Sequence, residues 1–240
     1  DFNKPNRAGL SFVQASQWRE HDFRYHHMLG LIELGARRPD EAAQVLERAR
    51  ALHPNNAPAL RLLGQALYWS QREEEAIAVL RRSIELDPLD QEPYSLLARA
   101  YHDRGLRHRE EGDASGAQKA FRRASETWLQ ALAFAPENAD ILRSLGIEYF
   151  SAGLLAEAEV VLARAARLRP GDGIIQGNLG GMYLGLGRHE AAEAALMRAV
   201  ELDPLRAEWW SNLALLYEKQ DRLEEMAAAL GHAARLDPTN

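Results

Sequence analysis

Apolar and small residues recur along this chain at two spacings at once. Locally they stand three and four positions apart, the spacing of one helix face. Over a longer distance the same set returns with a proline: Pro54, Pro88, Pro136, Pro170, Pro204 and Pro238. Successive prolines are 34 residues apart, except that Pro88 and Pro136 are 48 apart. Counted from 31 residues before each proline, six units start at Phe23, Ala57, Gln91, Ala139, Gly173 and Ala207. The seventh residue of every unit is leucine: Leu29, Leu63, Leu97, Leu145, Leu179 and Leu213. The eighth is small: Gly30, Gly64, Ala98, Gly146, Gly180 and Ala214. Three residues on stand Glu33, Leu67, Tyr101, Tyr149, Tyr183 and Tyr217.

A second face precedes each proline. Eight residues before it stand Leu46, Leu80, Trp128, Leu162, Leu196 and Leu230. Five before it stand Ala49, Ser83, Ala131, Ala165, Ala199 and Ala233, and two before it Leu52, Leu86, Phe134, Leu168, Leu202 and Leu236. Each unit therefore predicts a helix, a short turn and a second helix that proline brings to an end. The glycine and alanine columns let the two helices approach closely. One such pair cannot bury its apolar face alone, but stacked pairs can.

The long interval carries fourteen extra residues, around "GLRHREEGDASGAQKA" (residues 105–120). Ala117, Phe121 and Ala124 repeat the small, bulky and small roles of Ala124, Trp128 and Ala131, seven residues earlier. The second helix thus gains seven residues at its start, and the other seven extend the first helix from Gly105 to about Glu111. The expected turn moves to Gly112-Asp113, with Asp113 as helix N-cap. Seven residues make about two turns, or roughly 10 Å, in each helix. Gly105 and Gly116 count against this reading, because a helix-interior glycine costs about 1 kcal/mol. The helical period around Phe121 disfavours the rival reading, a loose loop at Leu106–Lys119.

The pattern W-x2-L-G-x2-Y, then A-x3-F, then P resembles the tetratricopeptide repeat (TPR). "RSLGIEY" with "AEVVL" and "LRP" carries the resemblance, as does "GNLGGMY" with "AEAAL" and "LDP". Glu33 departs from it where an aromatic is expected, and Met226 where an alanine is expected. The resemblance implies an all-α, right-handed α-solenoid of six stacked TPR helix-turn-helix units over residues 22–240. The units are 23–56, 57–90, 91–138, 139–172, 173–206 and 207–240, the third with both helices lengthened by about two turns.

Composition narrows the function. The chain has 240 residues, 46% of them hydrophobic and 27% charged, with a formal charge of −6. That charge gives no electrostatic drive toward nucleic acid. No apolar stretch reaches the length of a membrane span. With no cysteine there is neither a disulfide nor a thiolate metal site. The chain starts at Asp1 without a basic, apolar leader, and a cytoplasmic protein or one exported after processing would both read this way. His21, His26 and His27 do not stand at helical ligand spacing, while His108 with Glu111 and His189 with Glu193 offer two ligands each. No cofactor, metal or catalytic constellation is expected.

The resemblance implies a partner protein or peptide held in a concave groove lined by the first helices. Carried onto this sequence, the groove-facing positions give Arg61, Gln65, Tyr68 and Trp69 in the second unit, and Arg99, His102 and Asp103 in the third. In the fourth they give Arg143, Ser144, Ile147 and Phe150. Asn178 and Asn212 stand sixth in the last two units and are similar to the asparagine ladder with which such arrays grip a peptide backbone. Arg61, Arg99 and Arg143 offer forked donors to carboxylates, while Tyr68, Trp69 and Phe150 can take an apolar anchor. The family variant that clamps a C-terminal carboxylate through lysine, asparagine, asparagine, lysine and arginine has no matching set here.

Residues 1–21 do not match a unit, yet Phe2, Leu10, Phe12, Val13 and Trp18 are too apolar for a plain tail. They cap the first unit or dock into a groove, of this chain or of a neighbour. The leading expectation is a non-catalytic scaffold that binds an extended partner segment with acidic and apolar anchors. Two alternatives stay open: a recognition or regulatory domain of a larger enzyme, such as a glycosyltransferase-like protein, and a self-assembling homo-oligomeric scaffold.

Overall fold

A computed structural model describes residues 22–237. The apolar segment 1–21 and the last proline of the series, Pro238, lie outside the described residues. The described residues form twelve helices and no strand. In chain order they are α1 (Phe23–Gly35), α2 (Pro39–Leu52), α3 (Ala57–Trp69), α4 (Glu73–Leu86), α5 (Glu92–Glu110) and α6 (Ala114–Phe134). Then follow α7 (Ala139–Ser151), α8 (Leu155–Leu168), α9 (Gly173–Gly185), α10 (His189–Leu202), α11 (Ala207–Lys219) and α12 (Leu223–Leu236). The chain divides into two compact parts, one ending at Asp103 and the other starting at Arg104, so α5 runs through the division.

Four of the first helices start where a short polar side chain caps them. Asp22 accepts a hydrogen bond from Arg24 N, Asn56 from Ala59 N, Asn138 from Asp140 N and Ile141 N, and Asp172 from Ile174 N and Ile175 N. Each cap satisfies backbone donors that the helix leaves unpaired. The turns inside the pairs use one left-handed residue, with φ of 57° at Arg37, 60° at Gln71, 76° at Gly153, 70° at Gly187 and 58° at Asp221.

Small residues hold the two helices of a pair together. A Cβ placed on Gly30, Gly64, Gly146 or Gly180 would stand within 2.6 Å of the Leu46, Leu80, Leu162 or Leu196 side chain. In each case the leucine follows sixteen residues after the glycine. All four leucines are buried, and they belong to the core that runs through each part. In the first part α1 to α4 share one cluster, with Leu34, Ala42, Leu46, Leu63, Leu67 and Ala76 among its members. In the second part the core passes from Phe121 and Ala152 through Leu162 and Leu179 to Leu196 and Leu213. Each second helix packs on the next first helix: α2 on α3, α6 on α7, α8 on α9 and α10 on α11.

The lengthened hairpin forms as the sevenfold shift implies. α5 has 19 residues and α6 has 21, against 13 or 14 in every other helix. Gly112 turns the chain at φ 78°, and Asp113 caps α6 by accepting from Gly116 N at 2.8 Å. Gly105 is helical rather than a turn. A Cβ there would stand 2.6 Å from the Phe121 ring, again sixteen residues on. Gly116 leaves room for the cap, since a Cβ would overlap the Asp113 carboxylate and stand 2.8 Å from His108 Nδ1. His108 Nδ1 in turn lies 3.1 Å from Asp113 Oδ2.

Candidate functional site

The first helices carry the candidate residues, and the two parts present different chemistry. In the first part Arg61 of α3 already has carboxylate partners. Its Nε lies 3.1 Å from Asp90 Oδ2, and its Nη1 donates to Glu92 at the start of α5. Arg61 thus lies between two acids of its own chain. Seven residues along α3, the Tyr68 hydroxyl donates to Asp103 Oδ2 at 2.5 Å. Burial, and then this hydrogen bond, push the Tyr68 phenol up to about 12. Arg99 is near enough to oppose that shift. Gln65, His102 and Asp103 are half-buried and Arg99 is exposed. Trp69 stands 45% exposed.

His27 of α1 also belongs to this surface, 34 residues before Arg61 in the same column of the repeat. Burial, and then the positive charge of Arg61, hold its imidazole below the ordinary histidine range. Its Nε2 is enclosed without a hydrogen-bond partner. The acidic partners of Arg61 are Asp90, in the turn between units, and Glu92, the second residue of the third unit at the start of α5.

In the second part α7, α9 and α11 supply the row. Arg143, Ser144 and Ile147 are half-buried on α7, and Phe150 at its end is 38% exposed. Asn178 and Asn212 are half-buried on α9 and α11. The Asn178 Nδ2 is enclosed and has no hydrogen-bond partner. Glycines at 173, 177, 181 and 185 run along one face of α9. The Trp209 ring of α11 fills the space at Gly177, and the Phe150 ring fills that at Gly185. Gly181 lies between them with bare backbone, its would-be Cβ meeting nothing nearer than Asn212 Nδ2 at 3.7 Å. A short strip of helix surface is left without side chains, with an aromatic edge and two amides beside it.

Among the described residues no three histidine, cysteine or acidic side chains come together in a way that could hold a metal ion. No described helix is long and apolar enough to cross a membrane.

Comparison with known proteins agrees with this architecture. Tetratricopeptide repeat models match residues 33–100 and 149–216, residues 102–173 and residues 207–240. The photosystem I assembly protein Ycf3 of Rippkaea orientalis (strain PCC 8801 / RF-1) is 26% identical over 132 residues, 55% of this chain. That match spans 66% of Ycf3, just under two thirds of its length. Among solved structures, YrrB, described as a TPR protein with an unusual peptide-binding site, has a TM-score of 0.59 at 20% identity, covering 82% of this chain and 95% of YrrB. PilF of Pseudomonas aeruginosa has a TM-score of 0.62 at 17% identity, covering 92% and 95%. MamA from Desulfovibrio magneticus RS-1 has 0.64 at 18% identity, covering 76% and 95%. At these identities the likeness is one of fold. With helical pairs, small-residue columns and family models running the length of the described residues, the chain belongs to the tetratricopeptide repeat family.

Proposed function

We propose that this protein is a non-catalytic scaffold that binds an extended segment of a partner protein along its first helices. The bare strip at Gly181 carries the reading. A partner backbone can approach α9 there as closely as backbone approaches backbone. Asn178 and Asn212, 34 residues apart on α9 and α11, lie beside the strip and offer their amides to that backbone. Amides suit the task because each offers both donors and an acceptor. The Phe150 ring offers an apolar contact at one end of the strip. Arg143 serves as an anchor for acidic side chains. Arg61 contributes less, since its charge is already paired with Asp90 and Glu92. The binding site described for YrrB and the family that this chain shares are consistent with a binding role.

The test is a selection of extended peptides from a random library against the whole chain. Selected peptides should lose at least about tenfold in affinity with Gly181→Arg, which fills the strip, a loss of about 1.4 kcal/mol. Asn178→Ala with Asn212→Ala should weaken them as well, and thermal unfolding should confirm that both variants fold. Undiminished binding by Gly181→Arg would place the site elsewhere.

A further inference from the structure

We infer that two copies of this chain pair through α12, antiparallel to one another about a two-fold axis. Leu223, Ala227, Leu230 and Ala234 stand four, three and four residues apart, so they share one face of α12. All four are exposed, Leu223 at 59% and Leu230 at 47%. The opposite flank of the helix is occupied, since Met226 and Ala229 pack in the cluster that holds Leu213 and Tyr217 of α11. Leu196 and Val200 of α10 stand 34 residues before Leu230 and Ala234, and both are buried in that cluster. No described helix covers the α12 face in the same way. Neighbouring apolar side chains left open on one face mark a contact surface.

The face is complementary to itself, and that selects the occupant. Place the two-fold axis midway between Ala227 and Leu230, with a second α12 running the other way. Leu223 then lies level with Ala234 of the second copy, and Ala227 level with Leu230 of the second copy. All four layers set a leucine against an alanine, so the two helices can approach closely and interlock. A parallel pairing in register would set leucine on leucine and alanine on alanine, which alternates crowding with gaps. Charge favours the same arrangement. Glu224 and Arg235 flank the face on one side, near opposite ends of the helix, with Gly231 between them. Both are exposed, and neither has an ion-pair partner among the described residues. The antiparallel pairing brings Glu224 of each copy beside Arg235 of the other, and the symmetry makes the contact twice. A parallel pairing would bring Glu224 to Glu224. The face is on a different helix from the strip at Gly181, so the pairing stands apart from the proposed groove.

Sedimentation of the whole chain across a concentration series tests this. The mass should rise from one chain to two and stop there, because a two-fold contact closes on itself. Leu230→Asp should weaken the pairing at least about tenfold, and circular dichroism should show its helix content unchanged, since Leu230 is exposed. Glu224→Arg alone and Arg235→Glu alone should each weaken it as well, because each sets like charges together twice. An equal mixture of those two variants should pair again, since the altered residue of each then meets its complement in the other. A single chain at every concentration would overturn the inference. So would growth beyond two chains, or a dimer indifferent to Leu230→Asp. A mixture that pairs no better than its two components would overturn the antiparallel register.

Discussion

Gly105 shows how much a single absent methyl group decides in this fold. Four glycines accept a leucine sixteen residues later, and Gly105 accepts Phe121 at the same interval. Adding side-chain volume at such a point forces the partner out of its rotamer. Gly64→Val should therefore destabilise the protein by about 1–3 kcal/mol, measured by chemical denaturation. Gly231→Ala, at a half-buried position where a Cβ meets nothing within 4 Å, should be neutral or slightly stabilising. The sequence showed four of these glycines because they share a column. Gly105 shares none and reads by itself as a turn or a helix penalty. Its role is visible only when the seven-residue shift of the second helix is applied to the first, which carries Ala98 to Gly105. Arg61 was opaque for a different reason: the period places a side chain on a face but does not say which side chains on that face pair. Tyr68 offers a direct check on its pair with Asp103. A phenol whose folded value is raised gives stability that is full below its ordinary value near 10 and falls as pH rises toward about 12. Ultraviolet titration should show one phenol ionising near 12, and Tyr68→Phe should remove that step.

The elements follow the same logic one level up. α5 and α6 are longer than the other helices, yet their turn keeps the local chemistry of a short pair: a left-handed residue at Gly112 and a cap at Asp113. Length was added between the turn and the core rather than at the turn. Excising residues 102–108 and 117–123 together should then restore an ordinary hairpin. It keeps Gly112 at the left-handed position and returns Ala124 to the place held by Ala158 and Ala192 in later units. Excising either block alone leaves one helix about two turns longer than its partner. The paired deletion should unfold cooperatively, and each single deletion should unfold at lower temperature or without a sharp transition, as followed by circular dichroism. The sequence displayed this extension because the added residues keep the helical period. The strip at Gly181 was less legible. Its position lies on the first-helix face, but a search for donors and aromatic rings passes over a residue whose contribution is to have no side chain.

For the whole molecule, the repeating contacts imply that stability is local. Within each part helical pairs touch their neighbours along the chain, so a lesion should spread by nearest-neighbour coupling and fade with distance. Leu46→Ala, which empties a buried site between α1 and α2, should cost about 2–5 kcal/mol where it acts. Hydrogen exchange should show α1 and α2 opening while α10 to α12 keep their protection. Equal loss along all twelve helices would mean that the chain unfolds as a single cooperative unit. The period of 34 made the number and order of helices readable before any coordinates. It does not foretell a division at Asp103, because α5 is continuous in sequence pattern across it. The binding chemistry is likewise unequal along the chain. In the first part Arg61 is ion-paired with Asp90 and Glu92, whereas the second presents a bare helix surface at Gly181. The sixteen-residue lock has a consequence for descent. Both halves of each lock lie within one hairpin, so a duplication of 34 residues copies the small residue and its bulky partner together. Whole hairpins can be gained or lost without a compensating mutation elsewhere. A length change inside a hairpin is inherited safely only when both helices change by the same two turns.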